Sequence, residues 1–272
     1  PKDPQRAMKS RPLDSEKNRL LLSQAIRSDL LSEQANQDLP AFKKDPLSLV
    51  VSGKLQIRTK DGRQIPLVLN KAQRMVMDLI RRLQEQNRPV RIWILKARQM
   101  GISTLMEAII YSLTSLQSNR TAVVMADEKD KTNYLHAIAK FFHSNMLQTD
   151  PAITPQTLYS NEKKLSFEGN YSEMILKTAE NVDTSRAMTN QYCVLSEAAF
   201  YRNLPGILQA LQGVPDHADT LVVGETTANG EGTPFHKEWQ SAKAGKTEWE
   251  ALFIPWFVME EYRRPLPAYP IE

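Results

Sequence analysis

The chain has 272 residues, with 35 Lys+Arg against 31 Asp+Glu for a formal net charge of +4; 24% of residues are charged and 41% are hydrophobic. This composition excludes a wholly disordered chain, the single cysteine, Cys193, excludes an internal disulfide or a cysteine-rich zinc site, and no apolar run approaches the length that crosses a bilayer. A balance of +4 over so large a surface is weak support for a nucleic-acid partner, and the polar, basic start at residues 1–11 has no secretory pattern, so a soluble intracellular protein is expected.

Residues 14–36 read as an amphipathic helix, with Leu20, Leu21, Ile26, Leu30 and Leu31 forming an apolar stripe that Pro40 terminates. Residues 49–69 read as a β-hairpin around the turn Lys60-Asp61-Gly62-Arg63. From residue 70 onward the pattern changes to alternating helix and strand. Helices are expected over 71–86, 103–116, 129–147, 204–211 and 234–244, and strands over 90–95, 121–126, 164–167, 173–178, 192–195, 220–224 and 250–254. The stretch 149–163, with Pro151 and Pro155, reads as loop, and Glu168-Gly169-Asn170 as the turn of a second hairpin. Short apolar strands separated by helices of ten or more residues predict a mainly parallel sheet covered by helices.

The sharpest local signal is Ile92-Trp93-Ile94-Leu95-Lys96-Ala97-Arg98-Gln99-Met100-Gly101-Ile102-Ser103-Thr104. An apolar strand runs into a short loop with one glycine and then into Ser-Thr at a helix start. Backbone N–H groups and the helix dipole at such a place favour an anion, and a serine in the first turn is placed to ligate a phosphate-bound Mg²⁺. The pattern G-x-x-x-x-G-K-[ST] is only half met, because Lys96 stands at the first glycine and Ile102 at the lysine. By itself the segment is equally well an ordinary strand–turn–helix connection with a serine cap.

The segment from Lys96 to Thr104 resembles the deviant Walker A loop of the large terminase subunit of tailed bacteriophages, several of which carry the functional lysine at the start of the loop. Tyr192-Cys193-Val194-Leu195-Ser196-Glu197-Ala198-Ala199 resembles the Walker B segment of that family, with Glu197 at the general-base position and Ser196 where aspartate is usual. Asp183 and Glu225 are candidates to compensate for that aspartate. Leu221-Val222-Val223-Gly224-Glu225-Thr226-Thr227-Ala228-Asn229-Gly230 resembles the coupling motif, with Thr226 and Thr227 at its hydroxyl positions. Leu69-Asn70-Lys71-Ala72-Gln73-Arg74 resembles the adenine-recognition motif, with Gln73 as the base reader. Phe253-Ile254-Pro255-Trp256-Phe257 and Glu260-Glu261-Tyr262-Arg263 resemble the stretch that closes the ATPase domain.

The resemblance implies a RecA-type (ASCE) P-loop ATPase of α/β class. Residues 1–68 would form an N-terminal helix and hairpin extension, 69–264 the ATPase core, and 265–272 the start of a linker to a nuclease domain that this chain has no room for. It implies ATP bound by Gln73, Lys96, Ala97, Arg98, Gln99, Met100, Gly101, Ile102, Ser103 and Thr104. Catalysis would fall to Glu197, Lys96 and Arg98, coupling to Thr226 and Thr227, and Mg²⁺ to Ser103 and, through water, Ser196. The implied function is packaging of double-stranded DNA through a portal protein, with the small terminase subunit and a self-associated ring, in the host cytoplasm and without a membrane. Arg186, Arg202 and Arg120 are candidates for an arginine acting on a neighbour's site. Two alternatives stay open: a nucleotide-independent module that recruits DNA or the small subunit, which Ile102 and Ser196 favour, and a helicase-like translocase that does no packaging.

Elsewhere the signals are weaker. His136 and His143, two turns apart on one helix, read as surface or boundary residues, and Cys193 as a small buried hydrophobe. The basic run Arg81, Arg82, Arg88, Arg91, Lys96 and Arg98 fits a DNA or subunit contact, and a solvated helix face explains Arg81, Arg82 and Arg88 equally well.

Overall fold

A computed structural model describes residues 37–180 and 190–262. The helix expected over 14–36, Asp183, Arg186, Arg263 and the stretch 265–272 lie outside the described residues. Within them, residues 37–44 are helical and are followed by α1 (Leu47–Val51) and the hairpin β1 (Gln56–Arg58) and β2 (Gln64–Pro66). The hairpin is shorter than the expected 49–69, because Leu47, Leu49 and Val50 turn a buried helical face inward instead of extending. Helix α2 (Lys71–Glu85) begins on a capping box, in which the Asn70 side chain accepts from the Gln73 N–H and the Gln73 side chain accepts from the Asn70 N–H.

The remaining elements alternate: β3 (Val90–Lys96), α3 (Ile102–Leu116), β4 (Thr121–Ala126), α4 (Lys129–Thr149), β5 (Thr157–Ser160), β6 (Lys164–Phe167), β7 (Glu173–Thr178), β8 (Tyr192–Ser196), α5 (Leu204–Leu211), β9 (Leu221–Thr226), α6 (Pro234–Lys243) and β10 (Glu250–Ile254). Strand β5 falls where the sequence reads as loop; it is fully exposed and pairs only with β6 through an irregular register, so it has no apolar alternation to betray it. One sheet takes the order β10-β3-β9-β8-β4-β7-β6-β5. From β10 to β7 every pairing is parallel, and β6 and β5 add an antiparallel edge. The mainly parallel, helix-covered sheet is the expected one.

Each central strand is buried on both faces, and the alternation of its side chains feeds two separate cores. Ile92, Ile94, Val124, Val194 and Val223 join α2, α3 and α4 on one face. Trp93, Val123, Met125, Cys193, Leu195 and Val222 join the α5 and α6 side chains on the other. Phe42, Leu55, Leu67 and Leu69 belong to the first core, so residues preceding α2 pack against the same apolar mass. Helix α3 is buried nearly all round, which is the position of a helix threaded under the middle of a sheet.

His136 and His143 depart from the surface reading. Both face inward from α4, at 3% and 4% exposure. Nε2 of His136 lies 2.8 Å from the Asn161 carbonyl, while His143 sits between the Tyr111 hydroxyl at 3.2 Å and the Thr157 hydroxyl at 2.8 Å. Desolvation pulls His143 down to about 4. The Cys193 thiol is fully buried and pushed up to about 12 by that burial, as a structural cysteine should be.

Two outcomes follow from the packing. Gly224 on β9 is in register with Trp93, and an added Cβ would lie 2.0 Å from the indole ring; Trp93 is itself stacked on Trp249 at 4.3 Å and cannot retreat. Gly224→Ala is expected to destabilise the protein by about 1–3 kcal/mol through overpacking, read as a lowered urea midpoint. Because His143 is held neutral when folded but titrates near 6.5 when unfolded, the unfolded chain binds its proton more tightly between those values. Stability should therefore fall as pH drops from about 6.5 toward 4, and the fall in urea midpoint should be smaller in His143→Gln.

Candidate functional site

The loops at the C-terminal ends of β3, β8 and β9 meet at one end of the sheet. The chain runs outward from β3 to β4 and β7, returns through β8 and β9, and finally places β10 on the far side of β3. Such a reversal leaves a crevice outside the strand ends, where ligands of open α/β sheets bind. A cavity of about 540 Å³ lies there, lined by Lys96, Arg98 to Thr104, Lys131, Tyr134, Leu135, Ser196, Glu197, Phe200 and Thr227.

The loop between β3 and α3 is conformationally demanding. Gln99 and Gly101 both have positive φ, at 61° and 72°, so the backbone doubles back before the helix begins and leaves the first N–H groups of α3 at the cavity. Gln99 accepts from the Lys60 ammonium at 2.7 Å, and the Arg98 carbonyl accepts from the Tyr262 hydroxyl at 2.6 Å. Ile102 and Met100 anchor the loop, each 1% exposed in the apolar core. Ala97 lies off the lining and packs on the same core.

Gln73, the expected base reader, sits behind the loop. It is buried and absent from the lining. Its amide oxygen accepts from the Asn70 N–H at 2.9 Å, and its amide nitrogen donates to the Gly101 carbonyl at 2.8 Å. Both ends of the amide are thereby committed to bracing the loop.

Behind the loop lies a charged bridge. The Lys96 side chain, 5% exposed, puts Nζ 2.9 Å from Oε2 of Glu225 and 3.4 Å from Oε1 of Glu197. Burial alone would lower the ammonium pKa, but the two carboxylates outweigh it and the value is raised. Glu225 is completely buried, and its Oε1 accepts from the Ser103 hydroxyl at 2.7 Å and the Ser196 hydroxyl at 2.6 Å. Glu107, one turn along α3 from Ser103, is also fully buried; desolvation, and then the Glu225 charge, raise its carboxyl well above the ordinary value.

Glu197 stands at the sharp turn after β8 with φ 57°, a left-handed conformation rare for a non-glycine residue. Its Oε2 accepts from the Thr227 N–H at 3.2 Å and the Thr227 hydroxyl at 3.4 Å; the Thr226 hydroxyl, also 3.4 Å away, shares its one proton with the closer Thr227 carbonyl at 2.9 Å. Thr226 is buried and also accepts from the Ala199 N–H at 3.2 Å. The structure thus brings Lys96, Ser103, Ser196, Glu197, Thr226 and Thr227 to one place. It adds Glu225, Lys131, Tyr134 and Phe200, of which only Glu225 lies in a segment with a motif resemblance. Lys131 and Tyr134 follow β4 by a helical turn or two, and only the register of β4 beside β8 carries them to the cavity.

The other cations are placed elsewhere. Arg81 forms a two-pronged pair with Asp45, Arg88 pairs with Glu250 at 2.9 Å, and buried Arg91 donates to Thr220 and the Pro215 carbonyl. Arg120 lies at the opposite end of the sheet, beside Asp219 at 3.6 Å, and Arg202 is exposed. Among the described residues no three His, Cys, Asp or Glu side chains form a metal cage. The oxygens that fit a divalent ion here are the Ser103 and Ser196 hydroxyls at the cavity wall, a sparse donor set of the kind that suits Mg²⁺ completed by phosphates and water.

No family model and no curated protein matches the chain. Solved structures do. The large terminase of bacteriophage HK97 superposes over 84% of this chain and 45% of its own length, at a TM-score of 0.60 and 14% identity. The chain has the fold of the phage large terminases. The large terminase of a thermophilic bacteriophage matches over 68% of this chain and 45% of its own, at a TM-score of 0.52 and 11% identity. The same protein in complex with ATP-gamma-S matches over 72% and 47%, at 0.52 and 10%. This chain thus spans about half the length of those terminases or less, and the expected RecA-type α/β core is the part shared.

Removing the Gln73 side chain strands the Asn70 N–H and takes one of two donors from the Gly101 carbonyl, which keeps the Leu105 N–H. Gln73→Ala is expected to cost about 1–3 kcal/mol, seen in urea unfolding; an unchanged midpoint would show that the loop is held by other contacts.

Proposed function

We propose that this chain is the ATP-hydrolysing motor of a viral DNA-packaging machine. The observation that carries the reading is the convergence of Lys96, Ser103, Glu197 and Thr227 on one cleft from three separate strands. The terminase fold and the ATP-gamma-S complex of the thermophilic-phage terminase support it.

In this reading the phosphates of ATP lie against the N–H groups of Gln99 to Ser103 at the start of α3, where the helix dipole favours negative charge. The Lys96 ammonium is ion-paired with Glu225 and donates to Glu197, and an ammonium with three N–H donors keeps capacity for the phosphate. Arg98 on the lining supplies a second cation. Mg²⁺, held by Ser103 and Ser196, would neutralise charge developing on the phosphate oxygens. Glu197, aimed from the turn after β8, orients the attacking water as a general base. Because its other oxygen is tied to Thr226 and Thr227, loss of the γ-phosphate reaches β9 through those hydroxyls. That path is the proposed link from hydrolysis to movement of double-stranded DNA. The motor would grip the phosphate backbone without reading sequence. It would work as a ring on a portal protein in the host cytoplasm, loaded by a small terminase subunit, with Arg186, Arg202 or Arg120 supplied to the neighbouring site. DNA cleavage is not assigned to this chain, and metal-dependent nicking of plasmid DNA by the pure protein would contradict that.

Calorimetric titration of Mg-ATP into wild type and Lys96→Ala tests the reading. Wild type should bind, and the variant should bind at least about tenfold more weakly, the order expected for loss of a charged contact. Wild type should also release phosphate faster with added duplex DNA. Absence of nucleotide binding by folded wild type would leave the scaffold alternative, to which Ile102 at the lysine position points.

A further inference from the structure

The register of β8 against β9 bears on the serine that stands in place of an aspartate. Ser196, the last residue of β8, is the direct partner of Glu225 on β9, and β9 also pairs with β3, which carries Lys96. A carboxylate with no exposure is tolerable only when donors surround it. Glu225 meets that condition with two hydroxyls on one oxygen and an ammonium beside the other. Each serine hydroxyl has one proton and two lone pairs. Ser103 and Ser196 both point their proton back at Glu225, so their lone pairs are left for the cavity that both residues line. A neutral hydroxyl becomes a better ligand for a hard cation when a buried carboxylate takes up its proton's charge, and such outer carboxylates commonly set ligand orientation.

The two positions are also complementary in charge. With the Ser196 Oγ 2.6 Å from Glu225, an aspartate at 196 would press a second negative charge against the first, which is strongly unfavourable in a buried site. Serine at 196 and glutamate at 225 therefore belong together.

We propose that Glu225 is the positioning carboxylate of the magnesium site, moved one strand over from the end of β8 to β9, and that it aligns Ser103 and Ser196 as the ligating hydroxyls. This rests on the nucleotide-binding reading above and adds the residue that replaces the expected aspartate.

The test is titration of ATP-gamma-S into the full chain with Mg²⁺ and again with EDTA, for wild type, Glu225→Gln, Ser196→Asp and the double variant, each checked for folding by circular dichroism. The readout is the ratio of the two affinities. Glu225→Gln is expected to lower that ratio by about 10- to 100-fold, the usual cost of losing an outer-shell partner. Ser196→Asp alone should also lose it, through repulsion from Glu225. The double variant, which returns the carboxylate to β8 and neutralises β9, should recover most of the ratio, a non-additivity that a merely structural glutamate would not produce. Glu225→Gln with the full ratio overturns the proposal, as does a double variant that binds nucleotide without recovering it. Folded wild type that binds ATP-gamma-S in neither condition instead overturns the nucleotide reading, and this proposal with it.

Discussion

A lysine and a glutamate buried against each other at the strand ends hold the centre of this molecule together. Lys96 closes β3 and Glu225 lies near the end of β9, 2.9 Å apart and out of water. Removing either partner of such a pair leaves an uncompensated buried charge, which costs far more than the pair itself contributes. The bridge extends to Glu197 on the turn after β8 and to Ser103 on α3. Three neighbouring strands and the central helix are thereby tied at the edge where the cavity opens. The apolar cores on either face supply the bulk of the stability; the bridge sets which strand ends lie side by side.

That arrangement gives Glu197 an unusual setting. Its backbone is left-handed, and its carboxylate is shared between Lys96 and the two threonines at the end of β9. A strained residue of this kind persists only when its surroundings over-determine it, and here they do so from both sides. The same carboxylate thus bridges the end of β3 to the end of β9.

Much of this was legible in the sequence because it is local. The unbroken apolar runs Ile92-Trp93-Ile94-Leu95 and Leu221-Val222-Val223 announced strands buried on two faces, and the lone Gly101 before Ser103 announced a tight strand-to-helix loop. Glu197 was legible because it ends a strand in a recognisable order of motifs. What escaped depended on register or on which way a helix faces. Glu225 gained its meaning from lying opposite Ser196, a pairing between residues 29 apart in sequence. Gln73 carries the same local pattern whether it reads a base or braces a loop, and its bond to the Gly101 carbonyl depends on how α2 packs beside the loop. His136 and His143 share a helix face in either reading, and the hairpin and sheet packed over α4 are what turn that face inward.

The loop before α3 is also grasped from outside the core. Lys60, in the hairpin turn, holds the Gln99 side chain, and Tyr262, beyond β10, holds the Arg98 carbonyl. Glu260, two residues before that tyrosine, is paired with Lys71 at the start of α2. The same short span is thus a mechanical junction where a segment from before the sheet and one from after it are fastened to adjacent residues. Any change in the backbone there pulls on both fastenings at once.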